Sequence, residues 1–428
     1  MAAMGMPIAV YLPQFYSEGM GLDLVVVGAV FTMARMWDVV TDPIMGLAID
    51  RFETRWGRRK HWIALSIPIL MISVWMVFMP DPAQVSGGYL GFWMIMLYVG
   101  YTMLAIAHQS WGAELAVGYD DRSRLFGWRE VFIIGGMTAV LAVPVSVDLM
   151  GNGDYASKVA SMGWFCLLLF PLTAVPTLRF VPDTRAVTQL SVHWLDAAKV
   201  VIANRTLWRL LLADLAAGLG TSFSGALYIF VASYVFELRE HASIALLFYF
   251  IASFVAMPFW MKLAYRVGKD KSMKIALVYA GVVNLSLIPF AEPGNVGLLW
   301  TFTIAYGVAY GAAPTLLRSM MADLTDEDDL LTGSKRSGLF FALLTTTNKL
   351  GGAAGVGASF AILELVFHFK PGPGNTQEAI DGLLYTYCLG PAIGLVVAGL
   401  ALTGYPLDRR RHAAIRAELD LRDANQVV

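Results

Sequence analysis

The chain has 428 residues, of which 57% are hydrophobic and 15% are charged, against about 25% charged residues in a typical soluble protein. The formal net charge is −1, so the charge balance gives no indication of nucleic-acid binding. The hydrophobic residues fall in runs of about 20, long enough to cross a bilayer as helices and too uniformly apolar for the strands of a β-barrel. The composition predicts an all-α membrane protein.

Twelve hydrophobic runs follow one another along the chain, and each predicts a transmembrane helix. No cleavable signal peptide is expected, because Met1–Tyr16 lacks a basic region and a small-residue cleavage site. Cys166 and Cys388 lie inside apolar runs, where buried side chains without a disulfide or metal role are expected. The predicted spans are 1–17, 24–49, 61–80, 89–117, 127–147, 161–181, 207–236, 242–265, 273–291, 297–322, 336–367 and 383–406.

The loops alternate in positive charge. The segments 81–88 and 291–297 contain no lysine or arginine, whereas the loops after the even-numbered spans are basic. Because positively charged loops stay on the cytoplasmic side, both termini are predicted to be cytoplasmic in a multi-pass inner (plasma) membrane protein. The basic loops contain Arg51, Arg55, Arg58, Arg59 and Lys60, then Arg122 and Arg124, then Lys269, Lys271 and Lys274, and finally Arg409, Arg410 and Arg411.

The longest polar connection divides the chain into two halves with six spans each. A basic turn around one glycine follows the second span of each half, at Gly57 and at Gly268. Two parallel six-helix halves are typical of the major facilitator fold, which binds solutes near the membrane midplane. The predicted organisation is a six-helix bundle that carries the cation site, a cytoplasmic central loop, a second six-helix bundle and a cytoplasmic tail, at 1–181, 182–206, 207–406 and 407–428.

Ionisable residues inside the second span give the first functional signal. Asp38 and Asp42 are four residues apart, so they share one helix face, and Arg35 lies one turn earlier on the same stripe. Two such carboxylates repel each other unless a cation lies between them, and Na⁺ prefers oxygen ligands such as these and the Thr41 hydroxyl. The structural alternative is that Asp38 neutralises Arg35 and Asp42 anchors a bend at Pro43.

Polar residues in other spans extend this hypothesis. Lys349 lies deep in the eleventh span, far from either loop, and needs an acidic partner that Asp38 or Asp42 could provide. His108 and Gln109 are predicted either to contact solute or to form interhelical hydrogen bonds. The GxxxG spacings of Gly307 with Gly311 and of Gly351 with Gly355 predict close helix packing. The acidic run 323–329 is predicted to be a solvated cytoplasmic loop.

Four stretches together carry a resemblance to a known family. They are RMWDVVTDPIMGLAIDRFETRWGRRKHWI at 35–63, YDDRSRLFGWREVF at 119–132, MADLTDEDDLLTGSKRSGLFFA at 321–342, and NKLGG at 348–352. Their order and content resemble the glycoside–pentoside–hexuronide:cation symporters, the melibiose-permease-like members of the major facilitator superfamily. The resemblance runs from about Tyr11 to the end of the eleventh span.

The resemblance implies particular roles. The acids matching Asp38 and Asp42 bind the coupling Na⁺, H⁺ or Li⁺, and the hydroxyl matching Thr102 assists them. The lysine matching Lys349 is tied to the same site, and the arginine matching Arg129 is placed near the sugar. No further cofactor is implied.

Departures from the family concern the solute. The melibiose permease has an aspartate where this chain has Ala105, a tryptophan where it has Gln109, and an asparagine where it has Thr41. Family members also have about fifteen more residues before the first span, including an acid that contacts the sugar. The resemblance therefore implies a solute handled with fewer carboxylates: another glycoside, a uronide or a lysolipid.

We expect a monomeric secondary transporter, contacting lipid and a small-molecule substrate, that couples Na⁺ or H⁺ to sugar or glycoside symport. Transport of a lysolipid, cation-driven efflux and a ligand-binding sensor remain alternatives. A membrane-embedded lipid enzyme is disfavoured, because the six histidines are dispersed and no GxxxxGK[ST] phosphate loop is present.

Overall fold

The computed structural model describes residues 2–5, 7–22, 24–116, 118–149, 155–182, 202–369 and 374–426. These residues are helical almost throughout, and within the same ranges β-structure is limited to one isolated bridge between Thr54 and Gly57. Eight of the helical segments in this part of the chain have the length and composition of membrane spans.

The helices up to residue 401 follow the predicted spans. A first helical segment consists of α1 (Leu12–Gln14) between π-helical turns at Pro7–Tyr11 and Phe15–Gly19. The tenth predicted span is divided into two helices, Val296–Tyr310 and Ala312–Thr332, which meet at Gly311. The remaining helices are α2 (Leu24–Arg51), α3 (Lys60–Phe78), α4 (Gly87–Leu115), α5 (Tyr119–Leu149), α6 (Tyr155–Phe180), α7 (Arg205–Phe230), α8 (Ala242–Val267), α9 (Lys269–Ser286), α10 (Val296–Tyr310), α11 (Ala312–Thr332), α12 (Ser337–Leu365), α13 (Gln377–Ala401) and α14 (Arg409–Gln426).

The helices form two compact units. The first comprises Met1–Leu115, Phe132–Ser191 and Ser334–Ala342. Its apolar core includes Val74, Leu90 and Leu97, where α3, α4 and their neighbours pack together. Burial of such aliphatic side chains away from water is the main favourable contribution to their packing.

The second unit comprises Ala116–Val131, Val192–Gly333 and Leu343–Val428. Its core includes Leu227, Phe302, Leu383 and Tyr387, from α7, α10 and α13. The start of α5 therefore groups with the second unit, and the start of α12 groups with the first.

The two basic turns adopt the conformation that their glycines favour. Gly57 has φ = 109° and Gly268 has φ = 97°, a region that is costly for a residue with a Cβ atom. Gly57 precedes α3, and Gly268 directly precedes α9. The repeated glycine thus has a positive φ in the turn between two helices in both halves of the sequence.

The GxxxG prediction is confirmed. A Cβ atom on Gly351 would lie 2.1 Å from the carbonyl oxygen of Leu215, and one on Gly355 would lie 2.5 Å from that of Leu219. The backbones of α12 and α7 are therefore in direct contact, as small residues allow.

The prediction for the acidic run is wrong. Residues 323–329 belong to α11, and Asp323, Asp326, Asp328 and Asp329 are buried. They are buried because basic side chains from other helices pair with several of them, a contact that local sequence does not reveal.

Candidate cation and solute site

A buried carboxylate and a buried hydroxyl meet between α2 and α4. The Thr102 hydroxyl donates a hydrogen bond of 2.9 Å to Oδ1 of Asp42. Asp42 is 0% exposed and Thr102 is 1% exposed. The two helices pack side by side, so two residues 60 positions apart in sequence provide oxygen atoms at one point.

The other predicted cation ligands lie on the same helix as Asp42. The backbones of Arg35 and Asp38 are part of α2, but their side chains lie outside the described part of the structure. The helical spacing places Asp38 and Asp42 one turn apart. The Thr41 hydroxyl donates to the carbonyl oxygen of Trp37 at 3.0 Å, within α2.

Lys349 lies in the middle of α12, which is 29 residues long, and its side chain is partly buried. Three glycines follow it within six residues, so the helix carries little side-chain volume there. This is consistent with the prediction of an intramembrane lysine, which is costly unless it is hydrated or paired.

The predicted solute-binding residues occupy two helices. Arg129 on α5 lies 3.7 Å from Glu130, and the side chains are 9% and 7% exposed. On α4, Gln109 is buried and donates to the carbonyl oxygen of Ala105 at 3.1 Å, while His108 is partly buried. Glu130 was not singled out from the sequence, although it is an acid beside an intramembrane arginine.

A charged cluster at the end of α2 was also missed. Arg59 is fully buried and contacts Asp50 at 2.9 Å and Glu114 at 2.5 Å. Arg58 contacts the same two acids and also donates to the carbonyl oxygen of Lys335. Local sequence does not reveal such pairing, because Glu114 is 56 residues from Arg58 and 55 from Arg59, and the Lys335 carbonyl group is 277 residues from Arg58.

The two arginines differ in their electrostatic balance. Burial and the neighbouring Arg59 guanidinium together lower the pKa of Arg58. Burial alone would also lower the pKa of Arg59, but Glu114 and Asp50 outweigh this cost and raise it above the ordinary arginine value. Asp50 and Glu114 thus stabilise the charge of Arg59 more than that of Arg58.

A second charged cluster surrounds the acidic residues of α11. Arg122 contacts Asp323 at 3.3 Å and Asp326 at 2.9 Å, and Lys269 contacts Asp323 at 2.6 Å. Burial lowers the pKa of Lys269 to about 8, although Asp323 acts in the opposite direction. His412 on α14 lies 3.1 Å from Asp326, which attaches the tail helix to the same cluster.

These arrangements have different chemical capacities. Both charged clusters are internally compensated, since each buried base contacts buried acids. The Asp42–Thr102 pair combines an acid with a neutral hydroxyl, and these two oxygen-bearing groups can contribute to a site for a hard monovalent cation or a proton. Among the described residues, no group of three or more His, Cys, Asp or Glu side chains forms a metal site.

Several curated proteins are similar to this chain over most of its length. The putative glycoside/cation symporter YagG of Escherichia coli is 24% identical over 417 residues, which cover 95% of this chain and 89% of YagG. The isoprimeverose transporter of Lactiplantibacillus pentosus is 23% identical, with 94% of this chain and 85% of that protein covered. The sodium-dependent lysophosphatidylcholine symporter 1 of Gallus gallus is 22% identical, with 98% and 87% covered.

The fold is similar to solved transporter structures. The crystal structure of the E. coli fucose:proton symporter superposes with a TM-score of 0.66 at 13% sequence identity, covering 94% of this chain and 95% of that one. This similarity shows the major facilitator fold. The model of the MFS/sugar transport protein family matches residues 1–409. The chain therefore belongs to this family, whose members are membrane transporters and not enzymes.

Proposed function

We propose that the chain is a cation-coupled symporter that moves a sugar or glycoside-like solute by alternating access. Asp38 and Asp42 form the site for Na⁺ or H⁺, and Thr102 supplies a further oxygen. The observation that carries this proposal is the 2.9 Å hydrogen bond from Thr102 to Asp42, because both side chains are buried and belong to different helices.

The cation acts through charge neutralisation. Two carboxylates one helical turn apart disfavour each other when both are ionised, and a bound cation removes this repulsion. Cation binding then stabilises the arrangement of α2 and α4 in which the solute is bound. Since binding free energies are linked reciprocally, the solute must raise cation affinity by the same factor.

Lys349 and Arg35 are the coupling residues of this proposal. A lysine in the middle of α12 and an arginine one turn before Asp38 can each compensate an acid when the cation has left. The site then alternates between an ion-filled and a salt-bridged state, and the costly uncompensated state is avoided.

Arg129, His108 and Gln109 are the proposed solute contacts. Their groups donate or accept hydrogen bonds, as solute hydroxyls require, and YagG and the isoprimeverose transporter are similar to this chain throughout. The Arg129–Glu130 contact of 3.7 Å keeps an acid beside the arginine. Together these residues favour a neutral or weakly acidic polyol.

Lysolipid transport is the second candidate. It is supported by the similarity to the Gallus gallus lysophosphatidylcholine symporter and by Ala105, which offers no carboxylate to sugar hydroxyls.

The membrane context is also part of the proposal. We place the protein in the inner membrane with both termini cytoplasmic, because the basic loops fall after the even-numbered spans. A single chain contains both six-helix halves, so the monomer is the proposed functional unit. Lipid surrounds it, and uptake driven by the cation gradient is the proposed direction.

The substrate class is tested by thermal unfolding of the purified protein with glycosides, uronic acids and lysolipids, each with and without Na⁺. A ligand at 100 times its Kd stabilises the folded state by about 2.7 kcal/mol. A glycoside that stabilises in a cation-dependent manner supports the proposal, and a response to lysolipid alone supports the second candidate. The solute found is then supplied outside proteoliposomes that contain the protein, and its cation-driven accumulation is measured. Accumulation by Asp42→Asn equal to that of wild type would overturn the coupling role.

A further inference from the structure

Asp214 is an acidic residue of α7 that the proposed cation site does not use. It lies nine residues after Arg205, the first residue of the helix, or about 14 Å along the axis. Its side chain is 3% exposed. A carboxylate at this depth of a span costs about 3 kcal/mol on insertion scales, so its presence requires an explanation.

Both hydrogen-bond partners of Asp214 are neutral. The Thr347 hydroxyl lies 3.1 Å from Oδ2, and the side-chain amide of Asn348 donates to Oδ1 at 3.3 Å. In the part of the chain that the structure describes, Asp214 forms no ion pair. This differs from Asp50 and Asp323, whose carboxylates contact arginine or lysine directly.

The Thr347 hydroxyl can serve either protonation state of Asp214. It also lies 3.0 Å from the carbonyl oxygen of Leu344, and it has one hydrogen to donate. When Asp214 is ionised, this hydrogen points to the carboxylate. When Asp214 is protonated, the acid donates to the hydroxyl oxygen, which in turn donates to Leu344. Neither state leaves the acid without a partner.

Close backbone packing shields this acid on one side. A Cβ atom on Gly218 would lie 2.9 Å from the carbonyl oxygen of Asn348, and one on Gly351 would lie 2.1 Å from that of Leu215. The helices α7 and α12 thus touch directly after Asp214, at Leu215 and Gly218, and the Asp214 side chain is 3% exposed. A buried carboxyl group in such surroundings favours its neutral form.

The charged surroundings of Asp214 are sparse. The Arg318 guanidinium of α11 interacts electrostatically with the Asp214 carboxylate. On α12, Lys349 directly follows Asn348 in sequence. On α7 itself, Arg209 donates to the carbonyl oxygen of Gly404. Along α13, which packs on α7 near Gly394, the segment 390–401 contains no ionisable residue.

We propose that Asp214 is a proton-binding site, separate from the Asp38–Asp42 pair, whose two protonation states are both hydrogen-bonded through Thr347. The proton comes from water and converts the carboxylate to a carboxylic acid, and it returns to water when the acid ionises. This inference rests on the proposed function, because in a transport cycle movement of α12 against α7 would open the acid to water.

The test is infrared spectroscopy of the full-length protein, recorded as difference spectra between acidic and alkaline pH. We expect a carbonyl band of a buried carboxylic acid that titrates, disappears in Asp214→Asn, and shifts in frequency in Thr347→Val. Asp381→Asn removes an acid of α13 whose hydrogen bond to Gln377 is exposed, and this control should keep the band.

Several outcomes would overturn the inference. They are a spectrum of Asp214→Asn that equals wild type, a band that persists at every pH, and a band that Thr347→Val leaves unchanged. If Asp214→Asn does not fold, the Thr347→Val shift decides. The same samples with Asp42→Asn test the proposed function independently. A lost Na⁺ response, or a pH response smaller than that of wild type, with the band retained supports both proposals, and stabilisation equal to wild type overturns only the cation site.

Discussion

Asp50, at the end of α2, accepts the backbone N–H of Leu339, near the start of α12, at 2.8 Å. The same carboxylate accepts the N–H of Gly338 at 2.9 Å. These N–H groups have no partner inside their own helix, and a carboxylate is favourable at the positive end of the helix dipole. The helix that carries Asp42 therefore caps the helix that carries Lys349.

Replacing Asp50 by asparagine should strongly destabilise the protein. The amide side chain would retain the shape of the carboxylate but lose the charge that compensates Arg58 and Arg59, and breaking a buried ion pair costs about 3 kcal/mol or more. Thermal unfolding of the purified Asp50→Asn variant measures this cost. Asp81→Asn is the matched control, because Asp81 caps a short exposed turn and asparagine is an equally good cap. Equal melting temperatures for the two variants would contradict the account.

Arg122 and Arg124, both on α5, should contribute differently to the free energy of unfolding. Arg122→Gln leaves Asp323 and Asp326 with one basic partner fewer, and we expect a loss of about 3 kcal/mol in the free energy of unfolding. Arg124 is 68% exposed and pairs with exposed Asp121, so Arg124→Gln should cost less than about 1 kcal/mol. Chemical denaturation compares the two variants, and similar midpoints would refute the buried role of Arg122.

The buried Lys269 side chain should make the stability of the fold depend on pH in a specific way. Its pKa is about 8 in the folded protein, against a reference value of 10.5. Between these values the unfolded chain binds more protons than the folded chain, so the contribution of Lys269 to stability rises as the pH rises through this window. Below pH 8 the lysine is charged in both states and this contribution is constant.

The measurement is the melting temperature of wild type minus that of Lys269→Met between about pH 7 and about pH 10, roughly the window set by these two values. We expect this difference in melting temperature to increase as the pH rises. Lys274→Met controls for removing a positive charge from α9. A difference that stays constant, or that moves in favour of the variant, would show that burial does not dominate at Lys269.

Two glycines of α12 should respond oppositely to alanine. A Cβ atom on Gly351 would collide with the α7 backbone, whereas one on Gly357 would meet nothing within 4 Å. Gly351→Ala should therefore reduce yield and melting temperature, and Gly357→Ala should be neutral or stabilise by up to about 1 kcal/mol, the helix preference of alanine over glycine. Comparable melting temperatures would show that α7 and α12 are not in direct contact.

The fold could be predicted from the sequence because length and apolarity are local properties. Each predicted span corresponds to helical structure, and the glycines at 57, 268, 351 and 355 have the predicted turn or packing roles. Boundaries were less accurate: α5 begins at Tyr119, although its predicted span begins at residue 127. Polar residues such as Asp120 and Arg122 extend this helix beyond the apolar run.

The site was predicted only in part. Asp42 and Thr102 were brought together by family resemblance, and the structure places them in contact; the cation-binding role remains a prediction. Asp214 was missed, although an acid within an apolar run is the signal that identified Asp42. The charged clusters could not be predicted, because pairing of Arg59 with Glu114 or of Arg122 with Asp326 depends on helix packing and not on local sequence.

The central claim is that Asp42 binds the coupling cation together with Thr102. Its most direct test is thermal unfolding of wild type, Asp42→Asn and Thr102→Val over a range of Na⁺ concentrations at fixed pH, and over a range of pH without Na⁺. Thr138→Val is the matched control, because the Thr138 hydroxyl donates only to Ile134 of its own helix. We predict that Na⁺ or protons stabilise wild type and Thr138→Val. In Asp42→Asn the Na⁺ response is lost or, where the coupling cation is H⁺, the pH response is smaller than in wild type, and Thr102→Val weakens the same response. A response in Asp42→Asn equal to that of wild type would contradict the account.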